Sequence, residues 1–284
     1  MKAPIQKDLY FSNRARIQAP LVGTPGIDAF EKQWIEQRLR ELDGHPRPKS
    51  LAELKIELEK VGSADREAPN ESASYVAERM QLDEFRILVQ EFAIDGLTEA
   101  QVFYYVLPRL PLEAQMPLLR IMIDEFGSGN LKRAHTSLYI NLLRELDMPT
   151  SLEYYLARAS SSSFEFVNLF FWLALRADDA SYFAGALTYL ETAIPDFFEC
   201  YAQACRRLNI RAHAYYTEHQ HIDAFHATEG QRLLAAMNAT ATLDPAKAFQ
   251  GALLASSITD KAFRDAVSQA RQSCRHSDPA LEIS

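Results

Sequence analysis

The chain has 284 residues, 48% hydrophobic and 24% charged, which is enough for a large core and too apolar for a disordered chain. Its net charge of −8 argues against a nucleic-acid or anionic-membrane partner. No apolar run reaches the ~20 residues of a membrane span, and MKAPIQKDLYFSNRAR lacks the apolar segment of a secretory signal, so the expected location is cytoplasmic.

Residues 1–25, with Pro4, Pro20, Pro25 and Gly23, read as an irregular arm. Ile27 to Leu42 places Phe30, Trp34, Ile35 and Leu39 at helical spacing, and Gly44, Pro46 and Pro48 end it. Ser50 reads as the N-cap of a helix from Leu51 to Val61. Gly62 to Ser72 is polar, carries Pro69 and suggests a boundary between an appendage (1–70) and a main body (71–284). Tyr75 to Ala93 reads as one long helix, Asp95-Gly96 as a turn, and Thr98 as the cap of a helix starting at Glu99. Gln101 to Val106, Leu112 to Phe126 and Leu131 to Leu146 follow, the last two separated by Gly127-Ser128-Gly129-Asn130. After Pro149 comes a short helix, then a serine-rich turn at Ser160 to Ser163. Phe164 to Leu175 is apolar on most faces and should be buried. Ala180 to Ala193 and Phe197 to Leu208 read as two helices divided at Pro195. Ile210 to Met237 and Ala246 to Gln272 complete the set. No stretch alternates like a strand and no repeat has a solenoid period, so the predicted architecture is an all-α bundle. Cys200, Cys205 and Cys274 are odd in number and fit neither a disulfide framework nor a zinc pair; they read as helix-packing residues.

The helix from Ile210 to Met237 carries the strongest chemical signal. At about 100° per residue, His219 and Asp223 lie about 40° apart and His219 and His226 about 20° apart. Three metal-ligand side chains therefore share one stripe, whereas His221 should face elsewhere. Imidazole with carboxylate suits iron, manganese or zinc. Further candidates lie in otherwise apolar surroundings: Glu125 after LLRIMID, His135 before Leu138, Tyr139 and Leu142, and Glu191 within GALTYLETAIP. Glu125 and His135 are separated by the Gly-rich break, so one continuous helix does not relate them.

In this order the motifs resemble a family. Asp124-Glu125-Phe126-Gly127-Ser128-Gly129 with His135-Thr136-Ser137-Leu138-Tyr139 resembles the DE-x-G-x-G…H-x-x-L-[YF] signature of the haem-oxygenase-like di-iron oxidases. Glu191 resembles that family's central-helix glutamate, and His219-x3-Asp223-x2-His226 its last ligand motif. The resemblance covers roughly residues 75–272; residues 1–60 find no counterpart. It implies a bundle of about seven core helices holding two iron ions without haem, with Glu125, His135, Glu191, His219, Asp223 and His226 as ligands and catalytic residues. It also implies O2 as co-substrate and a role in specialised biosynthesis. Tyr216, one turn before His219, is a candidate to orient the imidazole. A haem oxygenase would need a proximal histidine early in its core, and residues 75–110 have none. A thiaminase-like relative would need a pocket cysteine, and a ferritin-like bundle paired E-x-x-H motifs, which are missing here.

The expected activity is that of an O2-dependent oxidoreductase performing N-oxygenation or oxidative C–C cleavage on a small amino-acid-derived or amine substrate. Arg120, Lys132 and Arg133 are candidates to meet a substrate carboxylate. A fatty-acid decarboxylase or desaturase of the same fold is the alternative, suggested by the stretch Phe166 to Leu175. An external electron donor and a homodimer are compatible with either. A helical binding module without metal is the reading from a different class, in which Glu125, Glu191 and the His219 stripe would face solvent or form ordinary ion pairs.

Overall fold

The computed structural model describes residues 5–18, 25–68 and 70–275, apart from the side chains at 15–18, 223, 224 and 275. Among them the helices are α1 (Gln6–Gln18), α2 (Pro25–Glu41), α3 (Leu51–Glu67), α4 (Glu71–Glu78), α5 (Leu82–Gly96) and α6 (Leu112–Glu125). Then come α7 (His135–Glu145), α8 (Leu152–Leu156), α9 (Ser161–Leu175), α10 (Ser181–Arg207), α11 (Ala214–Ala239) and α12 (Pro245–Arg275). Short 3-10 turns lie at Gln101–Tyr105, Leu107–Arg109 and Gly127–Gly129. No strand occurs among the described residues, as the sequence leads one to expect.

α10 is the hub. It packs along both α11 and α12, while α6 lies against α11, and α5 and α9 lie against α12. A Cβ on Gly185 of α10 would fall onto the backbone of Ala248, and one on Gly251 of α12 onto the backbone of Tyr182. These paired glycines let the two helices cross with their backbones in contact. Polar ties fix the registers: the buried Glu91 of α5 accepts from Ser163 Oγ of α9 at 2.6 Å and from Gln269 Nε2 of α12 at 3.0 Å. The two Glu91 oxygens accept from donors on two other helices, which ties α5, α9 and α12 to one spatial arrangement.

Several expected boundaries shift. Gln6–Gln18 contains no breaker and forms α1, where an irregular arm was expected; Pro4, Pro20 and Gly23 lie outside the described residues. The expected helix Tyr75 to Ala93 breaks at Arg79–Gln81, where Gln81 N–H donates to Glu84 Oε2 at 2.8 Å in a capping box. Thr98 caps no helix; its hydroxyl donates back to the Ile94 carbonyl at 2.7 Å, and Glu99 sits in the turn that follows α5. Ser161 to Ser163 form the first turn of α9 behind the N-cap Ser160. Pro195 does not divide two helices, because α10 runs through it. Packing against α11 and α12 outweighs the hydrogen bond that Pro195 cannot make. Ser50 caps α3 as expected, accepting from Glu53 N–H at 3.2 Å. Helices α1 to α3 lie on the body: α1 packs on α9 and α3 on α12 and α10.

Candidate metal centre

Glu125 ends α6 and His135 begins α7. The chain between them reverses through three consecutive residues at positive φ, Gly127 at 62°, Ser128 at 54° and Gly129 at 80°. Gly127 also presses against the backbone of Arg133 and Ala134, where a Cβ would collide. This reversal brings His135 Nδ1 to 2.8 Å from Glu125 Oε2, both residues being buried. The two atoms are not in hydrogen-bond geometry, and each is otherwise without a hydrogen-bond partner. Two buried polar atoms this close, with no hydrogen-bond partner, are a donor set that suits a shared cation.

His219, one turn into α11, faces the same place. Its Nδ1 lies 2.6 Å from the Tyr215 carbonyl. A carbonyl only accepts, so Nδ1 donates to it, and Nε2 is the nitrogen left to face Glu99 or an ion. Nε2 lies 3.1 Å from Glu99 Oε1, and the His219 and His135 ring centroids are 4.2 Å apart. Glu99, Glu125, His135 and His219 thus form one group whose ligand atoms all lie within 4.8 Å of one another. A second group unites Glu125, Glu191 and His226. There His226 Nδ1 lies 3.1 Å from Glu191 Oε2 and 3.7 Å from Glu125 Oε1. Glu125 belongs to both groups, one carboxylate oxygen facing each.

The surrounding charge suits a cation. With no ion bound, burial would raise the Glu125 pKa, but the charge and proton of His135 beside it, then the charges of His219 and His226, outweigh burial and hold it at about 2, so an ion would replace protons on these histidines. Asp95, one turn before Glu99, goes the other way: burial first, then the negative charge of Glu99, hold its carboxyl well above the usual range. Tyr215 donates its hydroxyl to Glu99 Oε1 at 3.2 Å, and burial keeps that phenol protonated. Asp124 Oδ2 lies 3.5 Å from His226 Nε2, on the side of the ring away from Glu191. Beside these groups runs a cavity lined by Asp95, Glu99, Glu125, Glu191 and His219 and walled by aromatic rings, among them Phe166, Phe170 and Phe171.

Of the expected site residues, Glu125, His135, Glu191, His219 and His226 come together. Asp223 lies on α11, but its side chain is outside the described residues. His221 is exposed, as its angle on the helix requires. The orienting role expected of Tyr216 belongs to Tyr215, through its carbonyl to His219 and its hydroxyl to Glu99. Tyr216 stacks instead on Tyr201, with centroids 4.8 Å apart. The expected substrate cations are elsewhere: Arg120 pairs with Glu229 at 2.9 Å, and Lys132 and Arg133 are exposed. Sequence reasoning missed Glu99, because an acid beside a presumed helix start reads as a partner of the helix dipole. The available signal was Asp95 and Glu99, two acids four residues apart following an apolar stretch.

Residues 86–259 match the model of a family described as iron-containing redox enzymes. The chain is also similar to a nitrosourea synthase from Streptomyces achromogenes subsp. streptozoticus, 29% identical over 180 residues. That alignment covers 60% of this chain and 34% of the relative, so the chain spans about a third of that protein's length. The family match contains both ligand groups and excludes α1 to α4.

Proposed function

We propose that this chain, which belongs to the family of iron-containing redox enzymes, is an O2-dependent oxidase or oxygenase with a non-haem pair of iron ions. Its substrate in this reading is a small amino-acid-derived molecule or amine, undergoing N-oxygenation or oxidative C–C cleavage. The observation that carries the metal assignment is the buried pair Glu125 Oε2 and His135 Nδ1, 2.8 Å apart and not hydrogen-bonded to each other. Glu99, Glu125, His135 and His219 would hold one ion, and Glu125, Glu191 and His226 the other, with Asp223 added by its place on α11. Four carboxylates then balance the four positive charges of two Fe(II) ions, and mixed nitrogen and oxygen ligation suits iron over calcium or magnesium.

When bound, the iron pair supplies the electrons for O2 reduction that no side chain here can supply. The protein's own residues do the remainder. The Tyr215 carbonyl accepts from His219 Nδ1, so Nε2 is the nitrogen that would meet an ion, and the Tyr215 hydroxyl steadies Glu99. The aromatic wall gives the cavity an apolar side, and Asp95 holds a proton on its carboxyl one turn from Glu99. The nitrosourea synthase relative, by its name, makes a nitrogen-rich product, which supports nitrogen chemistry for this chain. A fatty-acid substrate is the second reading, favoured by Phe166, Val167, Phe170 and Phe171 on the cavity wall.

Anaerobic Fe(II) titration against a chromogenic chelator tests the assignment. The expected result is about two ions per chain, one for each ligand group. Glu125→Ala should abolish both, whereas Glu99→Ala should weaken chiefly the group that contains His135 and His219. A protein that binds no Fe(II) and consumes no O2 with amines, amino acids or fatty acids is not this enzyme.

A further inference from the structure

Helix α1 lies outside the family match, yet it contributes a side chain to the cavity beside the candidate metal centre. Arg14 is half-buried on the cavity lining, among rings that include Phe103 and Phe171. Its Nη1 donates to Gln101 Oε1 at 3.1 Å, and no carboxylate among the described residues lies within ion-pair distance of it. Other half-buried arginines of this region are fully answered. Arg176 pairs with Glu31, Arg38 pairs with Glu165, and Arg109 donates to the carbonyls of Leu173, Ala174 and Ala177. A guanidinium has five N–H donors and a permanent charge, and one neutral amide oxygen satisfies little of either.

α1 is locked in a single register rather than resting loosely on the body. Asn13 Nδ2 donates to Asn168 Oδ1 at 3.0 Å, Asn168 Nδ2 donates to Gln6 Oε1 at 2.7 Å, and Arg176 Nη2 donates to Asn13 Oδ1 at 2.7 Å. Tyr10 packs between Phe164 and Phe171, its buried hydroxyl lacking a hydrogen-bond partner. This buried polar network sets the helix so that the residue following Asn13 meets the cavity.

We propose that Arg14 anchors the carboxylate of the substrate, and that the substrate is a carboxylic acid with an apolar body lying against the aromatic wall. This deepens the reading given under Proposed function, and it excludes simple amines from it. The planar fork of an arginine matches a carboxylate in two parallel hydrogen bonds, and a low-dielectric wall strengthens that pair. Gln101, which accepts from Arg14, is two residues beyond Glu99, so the partner of the anchor and a member of the first ligand group share one short piece of backbone. An apolar amino acid and a fatty acid both carry this chemistry.

The test uses the full metal-free chain, so that no ion can bind the probe. Isothermal titration with octanoate and with L-phenylalanine is compared with octan-1-ol and octylamine. At least one acid is expected to bind tenfold or more tightly than either carboxylate-free probe. Tighter octanoate points to a fatty acid and tighter phenylalanine to an amino acid; both support the anchor. Arg14→Leu should reduce binding of the acid at least tenfold while leaving octan-1-ol binding and the melting temperature close to the parent, and Arg14→Lys should recover part of the loss. Equal binding of acid and alcohol by the parent chain, no binding of any probe, or unchanged acid binding in Arg14→Leu would each overturn the proposal. Fe(II) loading of Arg14→Leu is expected to match the parent, so failure of the anchor and failure of the iron assignment are read separately.

Discussion

Asp95 and Glu99 show how one pair of residues can serve a cation and still burden the protein without it. Burial and Glu99 keep the Asp95 carboxyl neutral well above the ordinary range. A carboxyl whose folded pKa is raised costs stability that is absent below the unfolded pKa and grows as pH rises toward the folded one. Asp95→Asn should therefore raise the melting temperature of the metal-free protein near neutral pH, and the gain should vanish below about pH 4, where the unfolded carboxyl is itself protonated. A pH series of thermal melts on both proteins checks the sign. Glu125 runs oppositely: its depressed pKa contributes stability that is full above the ordinary carboxylate range and is lost progressively as pH falls from there through about 2. At this scale the histidines were legible in the sequence because they are rare and share a helical stripe. Glu99 was not, since its role depends on a turn at Ala100, where φ is 59°, that a propensity argument does not foresee. The exchange of Tyr215 for Tyr216 has a similar source. Both tyrosines are nearly fully buried, and only the path of the backbone decides which of them reaches Glu99.

The turn between α6 and α7 is the device that makes two separate helices present one pair of ligands. Gly127→Ala adds a side chain where φ is positive and where the Arg133 and Ala134 backbone already stands. It should lower Fe(II) affinity at the Glu125–His135 group more than it lowers helix content, read by chelator competition beside circular dichroism. Pro195 lies in the helix that carries a residue of the other group, Glu191. It stands one turn after Glu191, and its ring crowds the Glu191 carbonyl while offering it no donor. The sequence signalled a break here because proline usually ends a helix; the hub position of α10 between α11 and α12 is a tertiary fact that local reading does not contain. The crossing of α10 with α12 was equally hidden, since Gly185 and Gly251 look like ordinary helix-weakening residues until the two backbones are seen touching. Gly185→Ala should destabilise the protein by more than about 3 kcal/mol, beyond ordinary overpacking, because it is backbone rather than a movable side chain that must yield. Urea unfolding of the variant measures this.

At the scale of the molecule, the all-α class was readable from periodicity, and the family from the resemblance of the motifs taken in their order. The contribution of residues before 75 was not, because an appendage with no counterpart in the family gives no hint of what it covers. In the structure α1 through α3 pack on the body, and α1 brings Arg14 to the cavity. The helix that completes the body is α12, which lies against α10, α5, α9 and α3. It is also translated after every other described helix. A ribosome therefore releases both ligand groups, the cavity wall and the hub helix before the partner that covers them exists. Until α12 emerges, the faces of α5, α9 and α10 that it covers stay open, and domains in this condition are prone to aggregate. On the proposed reading, iron is then expected to enter the finished protein rather than to guide its folding. A chain stopped after residue 240 is expected to be insoluble with or without Fe(II) during synthesis, whereas the full chain made without iron should be soluble and accept it afterwards. Soluble, iron-loaded truncated protein in a fractionation assay would show that the centre can assemble before its cover.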